Sequence, residues 1–113
     1  MKIEKCLLSG STPMLVLALL KDGDKYGYEM IEELAKRSDD TFLMKEGTLY
    51  PLLHTLEKEG LVKSYSKTAS SGRERKYYRL TPAGGERLSY KEQEWKLFSE
   101  KVNAVIGATP AMC

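Results

Sequence analysis

The chain has 113 residues, with 18 Lys plus Arg against 16 Asp plus Glu, for a formal net charge of +2. That length sets a prior of one domain, and 42% apolar with 30% charged residues excludes wholesale disorder. A chain this short buries a modest core and has little surplus for a deep enzyme cleft.

The longest apolar run, Met14–Leu20, is seven residues, far below the roughly 20 that cross a bilayer. Ser, Gly and Pro interrupt the stretch after Met1–Cys6, so no secretory leader is expected. A cytoplasmic location without a membrane partner is the expectation. Cys6 and Cys113 are the two cysteines and His54 is the single histidine, too few for a zinc set. No nucleophile elbow, phosphate loop or dinucleotide fingerprint occurs. No enzyme activity, metal or cofactor is therefore expected.

In chain order, residues 1–11 read as a polar leader. Thr12-Pro13 reads as an N-cap followed by a first-position proline, opening a short apolar helix over Met14–Lys21. A second helix is predicted over Tyr26–Arg37, with Tyr28, Ile31, Leu34 and Ala35 on its apolar face and Glu32–Lys36 and Glu33–Arg37 as i,i+4 pairs. The third helix starts around Glu46–Thr48 and ends at Glu59, with Gly60 as the left-handed stop and Pro51 in or near the first turn. Leu49, Leu52, Leu53 and Leu56 form its stripe, with Leu61 just beyond. Thr48, Tyr50, His54, Thr55 and Lys58 fall on the opposite, exposed face.

Leu61–Lys67 and Arg75–Leu80 read as two short strands joined by a polar, mobile loop, residues 68–73. Thr81-Pro82 repeats the cap device and opens a long helix to about Ile106, followed by a frayed tail, residues 107–113. In the long helix, Leu88, Trp95 and Val102 are seven apart, and Lys91, Phe98 and Val105 form a second seam. Five apolar positions of six make a heptad stripe suited to docking on another helix, either within the chain or from a second chain.

The charge is unevenly placed. Lys63–Arg79 holds six basic residues and only Glu74 as an acid, leaving the remainder of the chain net acidic. That is the footprint of a polyanion-binding element. Tyr65, Tyr77 and Tyr78 interleave with the cations and read chiefly as packing the ribbon. Three helices, a basic hairpin and a final helix give the fold expected here: mainly α with a small β-hairpin, a winged helix-turn-helix over residues 1–81 with a C-terminal dimerisation helix over 82–106. A helix fits the major groove of duplex DNA while a hairpin beside it reaches the flanking backbone. The competing reading is a winged-helix protein-interaction module without DNA binding.

The blocks Tyr26-Gly27-Tyr28-Glu29, Glu46-Gly47-Thr48-Leu49-Tyr50-Pro51-Leu52-Leu53, Leu56-Glu57-Lys58-Glu59-Gly60-Leu61 and Arg75-Lys76-Tyr77-Tyr78-Arg79-Leu80-Thr81 resemble the PadR family of transcriptional regulators. The resemblance spans roughly Leu7 to Ile106, and the short C-terminal part is similar to members with one dimerisation helix rather than a longer helical domain. It implies a homodimeric repressor that binds a roughly palindromic operator in double-stranded DNA and is released by a small aromatic or hydrophobic effector. Carried over, Gly47, Thr48, Tyr50 and Pro51 stand at the start of the recognition helix, His54 and Lys58 continue its face, and Arg73, Arg75 and Lys76, with Lys67, serve the wing. Leu88, Trp95, Phe98, Val102 and Val105 are the expected dimerisation residues. Trp95 with Phe98 is the expected effector site, and Trp95 fits a stacking platform and simple seam packing equally well. The sequence departs from the family at Lys45, which cannot accept from the helix start, and at Gly85 beside Gly84.

Overall fold

A computed structural model describes residues 2–108. The element order is α1 (Lys5–Lys21), β1 (Lys25–Tyr26), α2 (Gly27–Arg37), α3 (Glu46–Lys58), β2 (Val62–Thr68), β3 (Glu74–Leu80) and α4 (Pro82–Ile106). The expected hairpin is part of a three-stranded antiparallel sheet in the order β1-β3-β2. The third strand is only two residues long and pairs Lys25 with Tyr78 and Tyr26 with Tyr77. A strand that short has no periodicity of its own, and only its distant partner β3 creates it.

The first helix starts earlier than its sequence suggests. It runs through Pro13, so Thr12 is not its N-cap and residues 5–11 are no leader. Pro13 cannot bond the carbonyl four residues back, but that carbonyl belongs to exposed Ser9. Thr12 is buried and its Oγ1 donates to the Leu8 carbonyl at 2.9 Å, the back-bonding that Thr makes inside helices. The N-terminal half of α1 lies along α4, and this tertiary packing outweighs the proline.

In α2 the buried stripe is Gly27, Met30 and Leu34. Ile31 and Ala35 are half-buried, whereas Tyr28, expected inside, is 54% exposed. The helix starts at Gly27 with Tyr26 as the N-cap, whose N–H donates to Glu29 Oε1 at 3.1 Å; with Gly27, Met30 and Leu34 facing the core, Tyr28 lies about 100° round the helix, at the solvent edge. Of the two expected ion pairs, Arg37 meets Glu33 at 2.8 Å and also pairs with Asp22. Glu32 and Lys36 form no ion pair among the described residues.

Helix α3 ends in a Schellman motif. The Leu61 N–H donates to the Leu56 carbonyl at 2.9 Å and the Gly60 N–H to the Glu57 carbonyl at 3.0 Å, with Gly60 at φ 76°. Pro51 is the sixth residue of α3, so it sits in the second turn, and the carbonyl it leaves unbonded is that of exposed Gly47. Thr81 then couples two helix ends. Its Oγ1 accepts from the Gly84 N–H at 3.0 Å and donates to the Gly60 carbonyl at 2.6 Å.

The core gathers Val16, Leu17, Leu20, Met30, Leu34, Leu49, Leu53, Leu56, Leu61, Val62, Tyr78 and Leu88. Leu88 corrects an expectation: at 2% exposure it belongs to this core and has no surface left for a second chain. The first turns of α4 are therefore integral to the winged unit, and the 81/82 boundary does not separate two cores. Gly107 closes α4 in the left-handed conformation. Of the expected frayed tail, residues 109–113, with Cys113, lie outside the described residues.

Candidate nucleic-acid interface and the α4 groove

Helix α3 buries Leu49, Leu53 and Leu56 and turns the other side outward. Gly47, Thr48, Tyr50, Pro51, His54 and Lys58 are all exposed along that side. The helix starts at Lys45 without a side-chain cap, which leaves first-turn N–H groups available to an anion. Tyr50 is 43% exposed, yet its ring lies on Gly27 of α2. Burial and the Glu46 carboxylate push its phenol above the usual range.

The one carboxylate late on this helix is turned inward. Glu57 Oε2 accepts from the Ser64 hydroxyl at 2.7 Å and from the Ser64 N–H at 3.0 Å. These two bonds hold its carboxyl below the usual range. They also pin α3 to β2 and turn this half-buried carboxylate toward the ribbon rather than along the exposed face. Sequence reasoning missed this tether, because nothing in a Glu and a Ser seven apart across a turn signals it.

The pairing register divides the ribbon cations between two faces. Lys67 lies opposite Arg75, and Lys76 lies opposite Ser66 on the other face. Lys76 stands 5.8 Å from the Tyr78 ring centroid, on the side that α3 shares through Ser64. Arg73 sits in the turn, where the Ala69 N–H donates to its carbonyl at 2.8 Å. The wing residues expected to act together are thus split, with Lys76 on the α3 side and Lys67 with Arg75 on the far side.

A four-helix chain with an antiparallel wing, an outward α3 face and a basic ribbon is a winged helix, and the Transcriptional regulator PadR-like family model matches residues 16–90. The chain belongs to the PadR-like family of transcriptional regulators. This PadR-like regulator is 35% identical to a transcriptional regulator from Clostridium thermocellum, with a TM-score of 0.82 over 88% of this chain and 97% of that one. A PadR-like transcriptional regulator from Bacillus cereus is 34% identical, with a TM-score of 0.81 over 93% of this chain and all of its own. A transcriptional regulator of Mycobacterium tuberculosis is 34% identical over 86 residues, covering 76% of this chain and 74% of that protein.

The second half of α4 in this PadR-like chain is largely uncovered. Trp95, Phe98, Val102 and Val105 are 48%, 54%, 38% and 87% exposed. The Trp95 and Phe98 rings lie 6.0 Å apart and tilted. With Leu7, Gly10 and Met14 of α1 they line an open groove of about 380 Å³. The Lys91–Glu94 ion pair, at 3.1 Å, stands among the groove residues. Among the described residues no helix is long and apolar enough to cross a membrane.

Proposed function

We propose that this PadR-like regulator is a cytoplasmic, dimeric repressor that reads a palindromic operator and lets it go when a small aromatic or hydrophobic molecule binds. The single observation that carries the DNA-reading part is the outward face of α3: Thr48, Tyr50, His54 and Lys58 are exposed while Glu57 is drawn away onto Ser64. In this reading α3 enters the major groove, with Gly47 and Pro51 near the phosphates, and Arg73 and Lys76 follow the flanking backbone, with Lys67 and Arg75 behind them.

Dimerisation is assigned to the α4 stripe Trp95, Phe98, Val102 and Val105. Four exposed apolar residues at heptad spacing on one helix are a seam that a second copy would cover. The effector is assigned to the groove between α1 and α4. A planar aromatic compound stacking on Trp95 and Phe98 would compete with, or reshape, that seam, and so change the spacing of the two α3 helices.

Selection of bound duplexes from a random pool by the purified protein tests this reading. A two-fold symmetric motif with half-sites about one helical turn apart is expected. Recovery of no motif at low salt would favour the protein-interaction module instead.

A further inference from the structure

The two faces of the ribbon differ in chemistry. Lys63, Tyr65 and Lys67 of β2 share one face with their partners Arg79, Tyr77 and Arg75, and Tyr26 of β1 joins them opposite Tyr77. The core takes Val62, Tyr78 and Leu80 from the other face. Between Lys63 and Lys67, every side chain on the outer face is a cation or a tyrosine.

The cations form two directly opposed like-charged pairs, Lys63 with Arg79 and Lys67 with Arg75. Like charges facing each other across a ladder are destabilising. Among the described residues the ion pairs involve Arg37 and Lys91, so none of these four cations is held in a direct ion pair. One carboxylate, Asp24, stands beside this face and accepts from the Tyr65 hydroxyl at 2.6 Å, so the face keeps an excess of positive charge. A face that keeps four cations outside any ion pair, at a cost in stability, is built for an anion that arrives from outside.

The rings identify which anion. Tyr65 stacks on Tyr77 at 5.8 Å and Tyr26 meets Tyr77 edge-on at 5.4 Å. Arg75 lies 4.5 Å over Tyr26 and Lys67 lies 5.4 Å from the Tyr77 centroid. Tyr26 and Tyr77 are occupied by each other and by the cations, and Tyr65, still 37% exposed, is stacked on Tyr77 and tied to Asp24, so the rings chiefly position charge and offer little platform for unpaired bases. Phosphates of a duplex fit this face better than single-stranded bases.

Helix α3 stands on the other side of the ribbon, where Glu57 holds Ser64, so the outer face cannot meet the stretch of groove that α3 meets. Resting on the reading of α3 as the groove helix, the geometry points to a second, sequence-independent DNA contact: the outer face of β2 and β3 takes phosphates of duplex lying beyond the half-site. From residue 63 to residue 67 the stripe runs about 13 Å, the axial span of about four phosphates of one strand. The flanking duplex must therefore rise along the wing, which extends the footprint and draws the DNA toward the protein.

The test compares the full chain on two duplexes carrying its selected core. One ends at the half-sites, and the other continues on each side by about 15 base pairs of scrambled sequence, one and a half turns. The double variant Lys63→Gln/Arg79→Gln should lose about tenfold in affinity on the long duplex at low salt, with the salt slope shallower by about 0.9 per contact removed. Its affinity for the short duplex should match wild type, and its melting temperature should hold or rise as the like-charge pairing is relieved. The charge-keeping variant K63R/R79K should behave as wild type on both. Equal losses on both duplexes, no loss on the long one, or failure of the charge-keeping variant overturns the flank contact. If the wild-type chain binds neither duplex, the DNA-reading assignment falls as well; if it binds both equally and the variant matches it, only the flank contact falls.

Discussion

The ring of Tyr50, on the outward helix α3, rests on the bare Cα of Gly27 at the start of α2: a Cβ at Gly27 would lie 2.5 Å from Tyr50 Oη and 2.8 Å from its Cζ. The relationship makes the glycine of one helix a seat for a residue of the next that is proposed to meet DNA.

Gly27→Ala must displace that ring. Tyr50 is half-exposed and can swing out, so the stability cost should fall near the low end of overpacking, about 1 kcal/mol. The effect on DNA binding should be larger than that on stability, because the ring loses its seat. Tyr50→Ala in the Gly27→Ala background should restore the melting temperature. Unchanged operator affinity in Gly27→Ala would show that Tyr50 needs no fixed position.

Gly84 and Gly85 should respond in opposite directions. A Cβ at Gly84 would overlap the backbone carbonyl of Leu61, which cannot move aside, whereas Gly85 faces open space. Gly84→Ala should cost about 2–3 kcal/mol or more. Gly85→Ala should stabilise α4 by about 0.5–1 kcal/mol. Denaturant unfolding of the two variants separates them, and a shared sign would contradict the close approach.

Glu57 makes acid stability depend on its tether to Ser64. Its carboxyl is held below its ordinary value by the Ser64 bonds, so the folded protein keeps the charge at a pH where the unfolded chain has taken up a proton. The contribution is present in full above the unfolded carboxyl value, about 4.3, and is lost as pH falls through the lower folded value. Solvent screening limits it to about 1 kcal/mol at most. Glu57→Gln should therefore lower the melting temperature at neutral pH and flatten its fall below about pH 4. A variant whose acid limb parallels wild type would leave the tether without this role.

The buried and the exposed apolar positions of α4 should part company. Phe98→Asp or Val102→Asp should yield a folded monomer by sizing with light scattering, since both side chains are exposed. Leu88→Ala should unfold the chain by about 2–5 kcal/mol, since Leu88 fills its core. Planar aromatic compounds should quench Trp95 fluorescence in the dimer; an unresponsive signal across a varied panel would assign Trp95 to packing alone.

On the wing, Arg73→Ala with Lys76→Ala should weaken binding to all sequences alike, whereas Thr48→Ala or His54→Ala should change sequence preference. Competition between operator and unrelated duplex distinguishes the two outcomes.

Much of the architecture is legible locally. The leucine stripe of α3, the Gly60 stop, the Thr81-Pro82 cap and the segregation of positive charge onto residues 63–79 are all short-range signals, and each appears in the structure where it was expected. Local signals misled where a distant partner overruled them. Thr12-Pro13 looks like a helix start, but packing against α4 carries α1 back to Lys5. Tyr28 fits an apolar face by its type, but the core takes the stripe of Gly27, Met30 and Leu34 instead. Leu88 fits a heptad seam, but the core claims it first.

By itself the sequence determined the order of the four helices and the hairpin, the family and the net placement of charge, because periodicity, capping and composition act within a turn or two of the chain. Only the tertiary structure decided which face each charge occupies, that Glu57 is withdrawn from the α3 surface, and that Gly27 supports Tyr50. Those facts depend on register and on close approach between residues far apart in the chain, and such contacts have no energy until the chain has folded.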